Sequence, residues 1–193
     1  MNTHFSEARQ AIQDGAKEID TVLPLGLLLS NPPQYSSVFD HLKTITAAAA
    51  PVPVKVILET SLIPTLLLKI AASVISAEAG ASFIKTSTGF AWGGANKDDV
   101  SLMYNAVKYK GDVKVKASGG IRSFKACQEM FRAGAERIGT CVQFEFVHRC
   151  FTGFSVHLVS LSCNIVVLSL TTITDIILSK FKLEFDAIYA KLA

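Results

Sequence analysis

Val113-Lys-Val-Lys-Ala-Ser-Gly-Gly-Ile-Arg122 runs through Ser123 to Ala133 into Gly134-Ala-Glu-Arg-Ile138, and this stretch decides the fold. An apolar run closed by two glycines predicts a strand and a tight turn. Ser123 to Ala133 then predicts a helix, which Gly134 ends as a second short strand begins. Two strands joined through a helix pair parallel, because only a crossover of that length returns the chain to the same end of a sheet.

The same pattern recurs outward from that stretch. Gly15-Ala-Lys-Glu-Ile19 and Gly80-Ala-Ser-Phe-Ile84 repeat Gly134-Ala-Glu-Arg-Ile138, and the residues that follow are Asp20, Lys85 and Gly139. Between these units, Val52 to Glu59 resembles Val113 to Ser118, each carrying Val-Lys-Val. Apolar, alanine-rich Leu66 to Ala79 and amphipathic Lys97 to Lys110 predict the helices between strands. Strand and helix in strict alternation imply α/β architecture with a parallel sheet.

Asp20, Glu59, Lys85, Ser118 and Gly139 fall at or near strand ends, where a barrel presents its site at the carboxyl-terminal face. The expected fold is therefore a TIM (β/α)8-barrel, incomplete, with about five βα units. We expect a partial barrel domain over residues 1–145 and a divergent hydrophobic tail over 146–193.

With 193 residues, 50% hydrophobic and 18% charged, the chain has the composition of a globular protein. A net charge of +3, with lysines and arginines spread along the chain and no aromatic interleaving, points away from nucleic acid and suits a small anionic substrate. Cys127, Cys141, Cys150 and Cys163 lack zinc spacing, and His4, His41, His148 and His157 form no ligand set, so no metal is expected. Without a signal-like opening segment, reduced thiols and a cytoplasmic location are the expectation.

Lys85 and Lys116 each lie in an apolar, strand-like run, which would bury an amine near a ligand site. Two ammonium groups about 5 Å apart at an effective dielectric near 20 repel by roughly 3 kcal/mol, enough to lower one pKa by about two units. A neutral lysine amine is a nucleophile. The bland readings are a snorkelling or ion-paired core lysine, an Asp20 that caps a helix or pairs with Lys116, a structural Glu59, and a Gly119-Gly120 pair that merely turns the chain.

From Asp14 to Thr140 the chain resembles the deoxyribose-phosphate aldolases, a family of class I aldolases. Glu18-Ile-Asp20, Val54-Lys-Val-Ile-Leu-Glu-Thr60, Lys85-Thr-Ser-Thr-Gly-Phe90, Gly93-Gly94, Val115-Lys-Ala-Ser-Gly-Gly-Ile-Arg122 and Arg137-Ile-Gly139 carry the likeness, in order and spacing. The resemblance implies reversible cleavage of 2-deoxy-D-ribose 5-phosphate to D-glyceraldehyde 3-phosphate and acetaldehyde, with no metal and no organic cofactor. By position it makes Lys85 the Schiff-base lysine, Lys116 the lysine that tunes it and Asp20 the carboxylate that moves protons. Lys55 and Glu59 are expected to orient that network. Thr88, Ser118, Gly119, Gly120, Gly139 and Thr140 are expected to bind the substrate and its phosphate. The partner is thus a small phosphorylated sugar, and a homo-oligomer is expected.

Measured against that family, the chain opens where a fourth strand approaches, so three βα units, on the order of 80 residues of a roughly 250-residue barrel, lie outside it. Two open sheet edges follow, which a second chain or the tail would have to cover. The alternative to an enzyme is then a remnant that keeps the motifs without the pocket. From Cys141 the likeness stops, and bulky Phe144 and Phe146 stand where small phosphate-binding residues are usual. Uncharged Cys150 to Thr174 is long enough to span a bilayer as a helix, although its serines, threonines, His157 and Asn164 weigh against insertion. Packing on the barrel, a membrane tether and a non-native carboxyl terminus are the three readings of the tail.

Overall fold

Three helices start at a short polar side chain that supplies an acceptor for an otherwise unpaired amide. Thr65 accepts from Leu68 N, Asn96 from Asp99 N and Ser123 from Ala126 N, each three residues on. They open α4 (Leu66–Glu78), α5 (Lys97–Val107) and α6 (Phe124–Arg132), close to the bounds the spacing predicts. The computed structural model describes residues 3–91, 93–140 and 166–169.

Within these residues the chain runs α1 (Thr3–Gln13), β1 (Ile19–Val22), α2 (Leu25–Leu28), α3 (Tyr35–Ala49), β2 (Val54–Ile57), α4, β3 (Phe83–Lys85), α5, β4 (Lys114–Ser118), α6, β5 (Arg137–Thr140) and β6 (Val166–Ser169). The five strands expected from sequence are β1 to β5. They pair in chain order and all parallel, with Asp20 opposite Lys55, Ile57 opposite Lys85, Lys85 opposite Lys116 and Ser118 opposite Gly139. The result is an α/β partial barrel.

Alternation along the strands separates core from site. Val54, Val56, Ile84, Val115, Ala117 and Ile138 are buried beneath the helices, against Val38, Leu42 and Ile45 of α3, Ala72 and Ala77 of α4, and Val100, Met103 and Val107 of α5. Each fully buried Leu, Ile or Met contributes about 1.5–3 kcal/mol. The alternate set, Lys55, Phe83, Lys85, Lys116, Ser118, Arg137 and Gly139, faces the concave side. Helix α3 is absent from the sequence-based expectation, although Val38, Leu42, Ile45 and Ala49 lie on one stripe and are all buried.

A sixth strand departs from the five-strand expectation. β6 pairs antiparallel with β5, Thr140 opposite Val166 and Arg137 opposite Ser169. It belongs to the Cys150 to Thr174 run weighed above as a helix. Over these four residues the run is strand, as its two β-branched valines favour beside an edge with unpaired backbone groups. The rest of that run, Phe144 and Phe146 lie outside the described residues. Among the described residues no helix is long and apolar enough to cross a membrane.

Candidate active site

The concave face carries a line of alternating charge. Arg137 Nη1 on β5 donates to Glu18 Oε2 at 2.7 Å, so the sheet curls far enough for its fifth strand to reach the residue that precedes its first. The other Glu18 oxygen, Oε1, accepts from Lys55 Nζ. Lys55 also donates to Asp20 Oδ1 at 2.8 Å, and Asp20 Oδ2 faces Lys85 Nζ at 3.4 Å. Phe83 floors the line, with the Arg137 guanidinium 4.0 Å and the Lys55 ammonium 5.7 Å from its ring centre.

Three of the strands therefore deliver Asp20, Lys85 and Lys116 to one place, as the sequence predicts. Lys85 and Lys116 are both buried. Asp20 keeps part of its carboxylate open, at 38% side-chain exposure, and Lys55 is sealed at 1%. Burial works to raise the Asp20 carboxyl, but the charge and hydrogen bond of Lys55, with the charges of Lys85 and Lys116, overcome it and hold the pKa below the ordinary value. Glu18 is likewise held down against burial by Lys55 and Arg137.

The amine shift falls on Lys116, the lysine that the resemblance makes the tuning one. Burial first, then the charges of Lys55 and Lys85, push its amine down to about 8, against the opposing pull of Asp20 and Glu18. An amine titrating there can give or take a proton near neutral pH.

Glu59 does something other than orient this network. Its backbone is left-handed, φ 54°, and its carboxylate accepts from Thr88 N at 3.0 Å and Thr88 Oγ1 at 2.5 Å. It anchors the loop after β3, away from Lys55, because the left-handed turn carries its side chain toward that loop. Lys55 does join the network, as expected.

The small residues gather at the carboxyl ends of β4 and β5. Gly119 and Gly120 adopt φ of 95° and 72°, a conformation that favours glycine. A Cβ on Gly139 would stand 2.3 Å from Ser118 Oγ, so any larger residue there would force that hydroxyl to turn away. Thr86 ties the tips of β3 and β4, donating to Ser118 O at 2.8 Å and accepting from Ser118 N at 2.9 Å. The Thr140 hydroxyl donates to Ile121 O at 2.6 Å, so its side chain braces the end of the Gly119-Gly120 turn. That turn leads into the amino terminus of α6, where exposed amides favour an anion.

Sequence reasoning missed Glu18, Phe83 and Arg137 as members of the site. The available signal was period two: Glu18 precedes Asp20 by two, Phe83 precedes Lys85 by two and Arg137 precedes Gly139 by two, which places each pair on one face. Together the site offers a buried amine next to a second amine of lowered pKa, a carboxylate that stays charged, and a small-residue cradle. Such a set can form an imine and pass a proton to and from it. Among the described residues no three His, Cys, Asp or Glu side chains cluster to hold a metal.

A family model described as DeoC/LacD family aldolase matches residues 2–157. A deoxyribose-phosphate aldolase of Caldicellulosiruptor saccharolyticus is 46% identical over 143 residues, 72% of this chain and 63% of that protein. Its counterpart in Clostridium tetani is 45% identical over 142 residues, 73% of this chain and 63% of that protein. The tetrameric deoxyribose phosphate aldolase structure from Aeropyrum pernix superposes with a TM-score of 0.58 at 35% identity, over 70% of this chain and 56% of that one. The chain thus spans 63% of the length of these two curated relatives.

Proposed function

This chain belongs to the DeoC/LacD aldolase family, and from that membership we propose that it acts as a deoxyribose-phosphate aldolase, a carbon–carbon lyase that cleaves 2-deoxy-D-ribose 5-phosphate reversibly to D-glyceraldehyde 3-phosphate and acetaldehyde. The observation that carries this reading is the register of Lys85 with Lys116 on one concave face, with Asp20 Oδ2 3.4 Å from Lys85 Nζ.

In this reading Lys116, titrating at about 8, takes the proton that frees the Lys85 amine. That amine adds to the C1 aldehyde of the open-chain sugar. The carbinolamine loses water to give a protonated imine. Asp20, directly or through one water, takes the proton of the C3 hydroxyl as the C2–C3 bond breaks, and the electron pair of that bond settles as a neutral enamine. Glyceraldehyde 3-phosphate leaves, C2 regains a proton, and water releases acetaldehyde from Lys85. No metal or organic cofactor enters this scheme.

Lys55 supports Asp20 in this scheme, and Glu59 supports the Thr88 loop. Thr88, Ser118, Gly119, Gly120, Gly139 and Thr140 are assigned to the substrate and its phosphate, and the Gly119-Gly120 turn leading into α6 supports the phosphate part of that assignment. A homo-oligomer, a cytoplasmic setting and a role in deoxyribonucleotide catabolism belong to the same proposal. The Aeropyrum pernix relative is tetrameric, which supports the first.

Borohydride reduction in the presence of 2-deoxy-D-ribose 5-phosphate, followed by peptide mass mapping, tests the proposal. The expected result is a reduced adduct on Lys85. Folded protein that gives no adduct would reject it in favour of a chain that holds the residues without the pocket.

A further inference from the structure

The line of charge on the concave face contains two residues that the chemistry above does not use. Arg137 and Glu18 are 119 residues apart, and their contact at 2.7 Å joins β5 to the start of β1 across the site rather than along the sheet. Neither is an isolated surface ion. Arg137 stacks on Phe83, and Glu18 divides its oxygens, Oε2 to Arg137 and Oε1 to Lys55.

Lys55 has its charge sealed from water and two carboxylates to share it. While Glu18 occupies one side of that ammonium, only Oδ1 of Asp20 is drawn to the other, and Oδ2 stays turned to Lys85. Without Glu18, the buried cation would have one anion left and would draw both its oxygens, as buried charges are satisfied wherever a partner is in reach. Asp20 would then turn away from the amine.

The charges also sum in a definite way. Arg137, Glu18, Lys55 and Asp20 contribute +1, −1, +1 and −1, which cancel, so no net counter-charge is left over for the two amines of Lys85 and Lys116.

We propose that Glu18 and Arg137 are positioning residues for the aldol chemistry: Arg137, seated on Phe83, holds Glu18, and Glu18 holds Lys55 so that Asp20 presents a single oxygen to Lys85. The proposal rests on the aldolase reading for its kinetic consequences, and for its electrostatic ones on the geometry and the charges around Lys116. Lys116 feels Lys55, Lys85, Asp20 and Glu18 from β1, β2 and β3, and stands in register with Arg137 on β5. Glu18 pulls its amine up, so removal of that charge favours the neutral form.

Glu18→Gln, Arg137→Leu and the double variant test this, each checked for folding by its thermal transition. For Glu18→Gln we expect kcat to fall by about tenfold to a hundredfold with KM changed less than about threefold, since misplacement rather than lost binding is at issue. The acid limb of the pH profile and the Lys116 resonance in a lysine-resolved NMR titration should both move to lower pH. The double variant should cost no more in kcat than the worse single one, because both act through one link. Additive losses, or an unmoved Lys116 titration in folded Glu18→Gln, would overturn the tether. The NMR readout needs no turnover, so an unmodified chain that fails to trap sugar on Lys85 would sink the aldolase reading while the titration still decides this one. Should Glu18→Gln fail to fold, Arg137→Leu must by itself lower kcat with KM held, and an unchanged kcat would reject the proposal.

Discussion

Lys116 on β4 lies in register with Lys85 on β3, and it is the Lys116 amine that burial and its neighbours push down to about 8. Below that pH the Lys116 amine is mostly protonated, and the productive form has it neutral. The rate kcat/KM should therefore rise with pH through an inflection near 8. Lys116→Leu should remove this inflection and lower the neutral-pH rate by about a hundredfold or more. A pH profile identical to that of the unmodified chain would remove Lys116 from the mechanism.

Lys85→Ala should abolish turnover and borohydride trapping together. Covalent catalysis has no second route here, so turnover that survives this variant above solution background would refute the imine.

Lys55→Met should destabilise the chain, because Glu18 and Asp20 lose the cation that outweighs their burial. The cost should be on the order of 2 kcal/mol, less than for a wholly dry pair because the Asp20 carboxylate is 38% exposed. Both carboxyls have depressed pKa values, so the stability they contribute is present above the ordinary carboxylate range and is lost as pH falls through the depressed values. The gap between variant and unmodified chain in denaturant midpoints should thus close in acid. A gap independent of pH would mean that Lys55 matters through packing.

Glu59→Ala should release Thr88, whose amide and hydroxyl it accepts. Two lost hydrogen bonds of about 1 kcal/mol each correspond to a rise in KM for the sugar phosphate of up to roughly thirtyfold. Trapping of acetaldehyde, which has no phosphate, should persist on Lys85. Loss of both would show that the loop supports the amine itself.

Gly134→Ala should be costly where nothing catalytic is near. Gly134 has φ 106°, and a Cβ there would stand 2.4 Å from Tyr104 Cγ on α5. Strained backbone and overpacking together should cost about 2–4 kcal/mol, read from chemical denaturation. Adding Tyr104→Ala should remove the contacts with Cγ and Cδ1 but leave Tyr104 Cβ at 2.7 Å, so only part of the cost should return. If the double variant is no better than the single, the ring contacts are not the cause.

Much of this protein is determined by its sequence because the determining patterns are local. The Gly-Ala repeats, the Val-Lys-Val strands and the short polar residues at Thr65, Asn96 and Ser123 each act over a few residues, so strand, helix and parallel order follow from them. Asp20, Lys85 and Lys116 were legible for the same reason: each stands in a short strand of one parallel sheet, Asp20 in β1, Lys85 closing β3 and Lys116 within β4 in register with it. What only tertiary structure decided is which charges meet. The curl of the sheet brings Arg137 to Glu18, a contact no local pattern encodes, and a left-handed turn sends Glu59 to Thr88 instead of Lys55. β6 lies against β5 by edge pairing that a short apolar run leaves open to helix or strand. Periodicity sets the face on which a side chain lies; the partner it finds there depends on how far the sheet bends, and on the burial and charge that bending brings together.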